Sequence, residues 1–134
     1  MFLRLTPELG GDGTTTGIIA MNDTGSDILT IFDHDMFHLG SLDNYVGWAG
    51  SVLVNDANGG MTAFPKLFVQ VQLVGNDDVP WSAWMDEVAV LKPFIDGVSR
   101  LSGSGMRSAL FFGTPAGNGL LAVASTKHGL HSIL

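Results

Sequence analysis

The 134-residue sequence has no cysteine, which excludes disulfides, thiol catalysis and zinc held by thiolates. It is also poor in charge, at 14%, and poorest in positive charge. Six basic residues stand against thirteen acidic ones, for a net charge of -7. That sign repels phosphate backbones and anionic lipid headgroups, so neither nucleic acid nor membrane is expected as a partner. No apolar run approaches the roughly 18 residues that span a bilayer. The opening Met1-Phe2-Leu3-Arg4-Leu5-Thr6-Pro7 is too short and too quickly polar for a signal peptide. Such a start leads to the expectation of a domain cut from a longer precursor.

What is abundant is hydrophobic residues, 46%, and glycine, 18 residues spread along the whole chain. That is enough apolar matter for a core in one domain over residues 1–134. Short β-rich runs alternate with Gly, Asn, Asp and Pro clusters, the texture of a small all-β domain. Strands are expected over residues 2–6, 16–22, 28–32, 51–54, 67–74, 87–91, 109–112 and 120–125. Val69 and Val71 alternate with Gln70 and Gln72, as in a half-buried strand. Asn and Gly accept positive φ at little cost, so Asp56, Ala57, Asn58, Gly59 and Gly60 read as a hairpin tip. Two short helices are expected, over residues 33–39 and 104–110.

The stretch that carries chemistry is Ile18-Ile19-Ala20-Met21-Asn22-Asp23-Thr24-Gly25-Ser26-Asp27-Ile28-Leu29. An apolar strand runs into Asp-Thr-Gly-Ser, which puts a carboxylate at a strand end on a tight turn. Gly25 permits close backbone approach, and the hydroxyls of Thr24 and Ser26 are expected to lock the turn and bond the carboxylate. Taken alone, the tetrapeptide is equally well an ordinary Asx-type turn.

This stretch resembles the active-site loop of aspartic peptidases, and its setting resembles the retropepsin-like kind over nearly the whole chain. The hairpin running from Val52-Leu53-Val54 to Val69-Gln70-Val71 looks like the flap. Arg100-Leu101-Ser102-Gly103, with Met106, Arg107 and Leu110 beyond it, resembles the segment whose strand threads beneath the catalytic loop before a short helix. The resemblance implies an acid-protease-like all-β fold, a closed or strongly bent barrel. It implies an endopeptidase that cleaves polypeptides with no metal and no cofactor. Asp23 would be the catalytic residue, with Thr24, Gly25 and Ser26 shaping the loop. Residues 56–60 would be the flap, and Asp27 and Gly103 would support the site. Asp27 is expected either to pair with Arg4, Arg100 or Arg107 or to be a plain solvated Asp.

Only one Asp-Thr/Ser-Gly occurs; Asp96-Gly97 lacks the hydroxyl residue and reads as a turn. The acid and base roles need two carboxylates about 3 Å apart, and one chain supplies one. A homodimer is therefore expected, with the site on its two-fold axis. Asn22 and Ser102 depart from the apolar residues of the family pattern. They keep open an alternative, a retropepsin-like module for dimerisation or peptide binding that has lost catalysis. The tail from Leu120 to Leu134 is longer than in viral members and is expected to add a hairpin. Ser26 is expected to stabilise the charged carboxylates and favour an acidic optimum.

Other patterns are weaker. His34 and His38 have zinc spacing, but a zinc site needs three or four protein ligands, so the pair reads as a solvated helix face. His128 and His131 read the same way. The run from Gly10 to Gly17 lacks the Lys of a P-loop. Trp48, Trp81 and Trp84 are expected as core or interface anchors, with Trp48 near substrate as the alternative. Asn22-Asp23-Thr24 is formally a glycosylation sequon, and a glycan there would block the site, which leans towards an intracellular location.

Overall fold

The alternation seen around Val69 and Val71 becomes the centre of the main sheet. In the computed structural model of the chain, which describes every residue except Asp56 and Asn118, strand β6 (Met61–Gln72) is the longest element. Leu67, Val69 and Val71 are fully buried on one face, while Phe68 is exposed and Gln70 and Gln72 half-exposed on the other. One edge of β6 is shared. Its outer half pairs with β5 (Trp48–Asn55) and its inner half with β1 (Phe2–Leu5), both antiparallel. The other edge pairs antiparallel with β7 (Met85–Lys92), and β4 (Leu29–Phe32) lies parallel beyond it. On the far side of β1 stands β2 (Thr15–Gly17).

Register builds the core in rows across these strands. Leu3, Val71 and Met85 share one row, Leu29, Ala89 and Leu67 another. Ile18, Ile31, Met36, Leu39, Tyr45 and Met106 fill the space above that face. Removing such side chains from water supplies about 1.5–3 kcal/mol each, which is why the rows tolerate a split edge strand. On the opposite face, Arg4, Gln70 and Asp86 form a solvated ladder. Arg4 donates to Gln70 Oε1 at 3.0 and 2.7 Å, and Gln70 donates to Asp86 Oδ1 at 3.0 Å.

The fold is mostly β, as expected, but the barrel is not closed. The sheet runs β2-β1-β6-β7-β4, and among the described residues its outer strands β2 and β4 do not meet. The reason lies at Ile18 and Ile19, where the expected strand over residues 16–22 breaks. Ile18 still continues the β1–β2 pairing, its N–H on Met1 O at 2.8 Å and its carbonyl accepting the Met1 amine at 2.9 Å, and the chain leaves the sheet at Ile19. It resumes as β3 (Ala20–Met21), which pairs parallel with β8 (Arg100–Leu101) in a separate small ladder.

The expected helix over residues 33–39 is a 3-10 helix, Asp33–His38, and the one over 104–110 is helix α1 (Ser104–Ala109). After it, β9 (Phe111–Gly113) and β10 (Ala122–Ala124) pair as a hairpin, so the tail from Leu120 supplies one strand of it and not a hairpin of its own. The tail then ends in a helix the sequence reading lacked, α2 (Lys127–Ile133), whose first turn is capped by Thr126 Oγ1 accepting Gly129 N–H at 2.9 Å. No helix among the described residues is long and apolar enough to cross a membrane.

Candidate functional site

The parallel pair β3 and β8 sets Ala20 opposite Arg100 and Met21 opposite Leu101. The segments that follow therefore run forward side by side, and they are bonded along their length. Ser102 N–H donates to Met21 O at 2.9 Å, and Asp23 N–H donates to Ser102 Oγ at 3.1 Å. Ser104 donates to Asp27 O from its N–H at 3.1 Å and from its hydroxyl at 3.0 Å. Arg107 of α1 donates to Ser102 Oγ at 2.9 Å and to the Ser26 carbonyl. The 23–27 turn is thus held from behind by residues about eighty positions later, the 102–107 segment expected to thread beneath it.

Asp23 heads this turn, half-buried. Its Oδ1 accepts Gly25 N–H at 2.9 Å, and its carbonyl accepts Ser26 N–H at 3.2 Å. This is Asx-turn geometry, and it orients the carboxylate while Oδ2 bonds to no described residue. A Cβ on Gly25 would come to 3.3 Å from Oδ1, so a side chain there would crowd the carboxylate.

Two expectations about the neighbouring hydroxyls are corrected. Ser26 Oγ donates to Ile28 O at 2.8 Å, because a short hydroxyl reaches its own backbone more easily than a carboxylate across the turn. Thr24 is exposed and bonds no described residue. Of the two expectations for Asp27 the plain solvated one holds within the described residues, since each candidate arginine is engaged elsewhere. Arg4 is on Gln70 and stacked over Trp84 at 4.1 Å, Arg100 is on Asp35, and Arg107 is on Ser26 and Ser102. Asp27 contributes its carbonyl, while its side chain is left exposed.

Gly103 has a packing reason. A Cβ there would lie 2.3 Å from Glu87 Oε2 and 2.9 Å from Leu29 N. Glu87 is the residue the sequence reading missed. It is in phase with Met85 and Ala89 on the buried face of β7, only 3% exposed, and points at the start of α1. Its carboxylate accepts Gly105 N–H at 3.1 Å and Met106 N–H at 2.7 Å, two donors that a helix start leaves unsatisfied. Burial pushes its pKa up, against the pull of those two N–H groups and Arg107. The visible signal was a carboxylate at an apolar phase position.

A second buried charge steadies the neighbouring loop. Asp35, 4% exposed, accepts Arg100 Nη2 at 2.6 Å and Nε at 2.9 Å, and Phe32 N–H at 2.9 Å. Burial alone would raise its pKa, but Arg100 and the Phe32 N–H outweigh it and hold the carboxyl below its usual range. Asp33 Oδ1 accepts Phe94 N–H at 3.2 Å, and His34 sits edge-on to the Phe94 ring at 4.8 Å. His34 and Asp35 are thus neighbours of a bound guanidinium, and His38 is exposed. Among the described residues no group of three or more His, Asp or Glu could hold a metal ion.

The expected hairpin is the β5–β6 arm, with Asn55 opposite Met61 and Gly59 at φ 81° in the tip. Asp56 lies outside the described residues; Ala57, Asn58, Gly59 and Gly60 are exposed. By register Val52 with Phe64 and Val54 with Thr62 share one face of the arm. A groove of about 240 Å³ runs between this arm and the 93–98 loop, lined by Phe32, Val54, Phe64, Ile95 and Val98 among others. Asp23 is not among its lining residues. Trp48, expected as an anchor, stands at the base of the arm and is 42% exposed, because a two-stranded arm has no second layer to cover it. Trp81 is 67% exposed.

Comparison with protein-family models, with curated proteins and with solved structures finds no significant match to this chain.

Proposed function

We propose that the chain is a retropepsin-like aspartic endopeptidase, active as a homodimer. The observation that carries this reading is the free Oδ2 of Asp23, presented on an Asx turn that the 102–107 segment holds rigid from behind. In the dimer, Asp23 and the partner subunit's Asp23 share one proton, because two carboxylates about 3 Å apart cannot both ionise. The ionised one takes a proton from water as the oxygen attacks the peptide carbonyl. The protonated one donates to the departing amine. Thr24, exposed and without a partner among the described residues, is available to join the two turns. Gly25 keeps the carboxylate accessible, and the tip at residues 56–60 closes over the substrate. The apolar groove beneath the arm supports a polypeptide substrate with bulky apolar side chains. Exposed Phe111, Leu120, Leu121, Ile133 and Leu134 in the C-terminal unit support burial against a second chain.

The alternative, a dimerisation or peptide-binding module without catalysis, is favoured by one observation. Neither the Thr24 nor the Ser26 hydroxyl reaches the Asp23 carboxylate in a single chain. Incubation with a mixed peptide library across about pH 3 to 7, read by mass spectrometry, separates the two readings. Cleavage by the wild-type chain that vanishes in Asp23→Asn supports the peptidase. Peptide capture without cleavage, unchanged in Asp23→Asn, supports the binding module.

A further inference from the structure

Glu87 stands on the buried face of β7, where Met85 and Ala89, its neighbours in phase, are apolar. A carboxyl group taken out of water is costly unless donors meet it. Both donors that meet this one come from the segment behind the catalytic turn. Gly105 N–H reaches Oε2 at 3.1 Å and Met106 N–H reaches Oε1 at 2.7 Å. The fit leaves no slack, because a Cβ on Gly105 would collide with Asp86 O and lie 2.7 Å from Glu87 Cδ. Glycine there lets the segment lie against β7 more closely than a larger residue allows.

The same segment also clasps the turn. Ser104 donates twice to Asp27 O, Arg107 donates to Ser26 O, and Ser102 Oγ takes Asp23 N–H. Residues 102–107 are thus held to β7 by Glu87 and to residues 23–27 by their own donors and the Ser102 hydroxyl. A helix of six residues is marginal by itself and takes its place from its packing. Met106 is the one buried side chain of α1, so the Glu87 carboxyl is its polar anchor. Among the described residues Glu87 makes no hydrogen bond to the turn itself. We infer that Glu87 is a positioning residue for the 23–27 turn, acting on it through residues 102–107. The coupling does not depend on the role of Asp23.

Amide hydrogen exchange of the full chain, followed by NMR, reads this coupling without any activity. Asp23 N–H, on Ser102 Oγ, and Ser102 N–H, on Met21 O, report on the turn and its support. Leu3 and Val71, fully buried in the sheet, report on the stability of the whole fold. Glu87→Leu removes both acceptors, so exchange at Asp23 and Ser102 should quicken about tenfold more than at Leu3 and Val71. Glu87→Gln keeps an oxygen for one N–H and should give a smaller excess; it decides the matter if Glu87→Leu does not fold. Arg107→Met already frees one link between segment and turn. In that background Glu87→Gln should quicken Asp23 exchange by a smaller factor than it does alone. Equal acceleration at all four amides would mean that Glu87 supports the fold and not the turn. That result, an unmoved Asp23 amide, or strictly additive effects with Arg107→Met would each overturn the inference.

Discussion

The hydroxyl oxygen of Ser102 accepts the backbone N–H of Asp23 at 3.1 Å, joining residues 79 positions apart. Ser102 is 2% exposed, and the same oxygen takes Arg107 Nη1 at 2.9 Å. An apolar side chain at this position would leave both donors without their partner. A residue that reads in the sequence as a departure from an apolar pattern is thus the one that fastens the turn.

Ser102→Ala should therefore lower stability by about 1–3 kcal/mol, the range for leaving a buried donor unsatisfied. Urea denaturation measures that loss. Peptide cleavage should fall as well, because the turn loses its rear attachment, whereas Ser102→Thr keeps the oxygen and should recover part of both. Equal stability of Ser102→Ala and wild type would show that the bond contributes nothing.

Asp35 and Arg100 form the most enclosed ion pair described, with side-chain exposures of 5% and 18%. Asp35→Asn leaves the Arg100 guanidinium without its countercharge and should cost about 3 kcal/mol or more. Because Arg100 holds Asp35 below its usual 3.8, the pair's contribution is complete above that value and is lost as pH falls through the folded pKa. The gap between wild type and Asp35→Asn should accordingly narrow in acid. A gap that stays constant down to low pH would sink the assignment.

Glu87 runs the opposite way. Burial raises its pKa above the ordinary 4.5, so the folded chain binds that proton more tightly than the unfolded chain does. Its stabilisation is complete below 4.5 and is lost as pH rises through the folded value. Glu87→Gln cannot titrate. Relative to this variant, wild type should lose stability as pH climbs past the ordinary carboxyl range, measured by paired denaturation curves. A difference that does not change with pH would mean that Glu87 titrates alike in both states.

The period-2 pattern of β6 was legible because that strand buries one face, and the Asp-Thr-Gly-Ser turn because its geometry is local. What the sequence did not disclose depends on distant partners. The break at Ile18 and Ile19 goes with a distant partner, since Ala20 and Met21 leave the main sheet to pair with Arg100 and Leu101. The three arginines show no preference in the sequence, since Gln70, Asp35 and Ser26 are brought to them only by the folded sheet. Helix α2 carries a Gly and two His within seven residues, a weak helical composition, and Leu130 is its one buried side chain.

One Asp-Thr-Gly per chain leads to the sharpest expectation, that each site is completed across a two-fold axis. Specific activity should fall on dilution below the dimer dissociation constant. Mixing goes further, because it leaves every wild-type chain present and folded. A dimer of one wild-type chain with one Asp23→Ala chain holds a single carboxylate, which cannot act as acid and base in the same step, so it should be nearly inert. With about nine mutant chains per wild-type chain and free exchange, random pairing leaves roughly one wild-type chain in ten with a wild-type partner. Activity per wild-type chain should therefore drop about tenfold, with exchange confirmed by native mass spectrometry of tagged subunits. Were activity to stay constant under confirmed exchange, each chain would work alone. A second catalytic group would then have to lie within the same chain as Asp23, and the homodimeric reading would be abandoned.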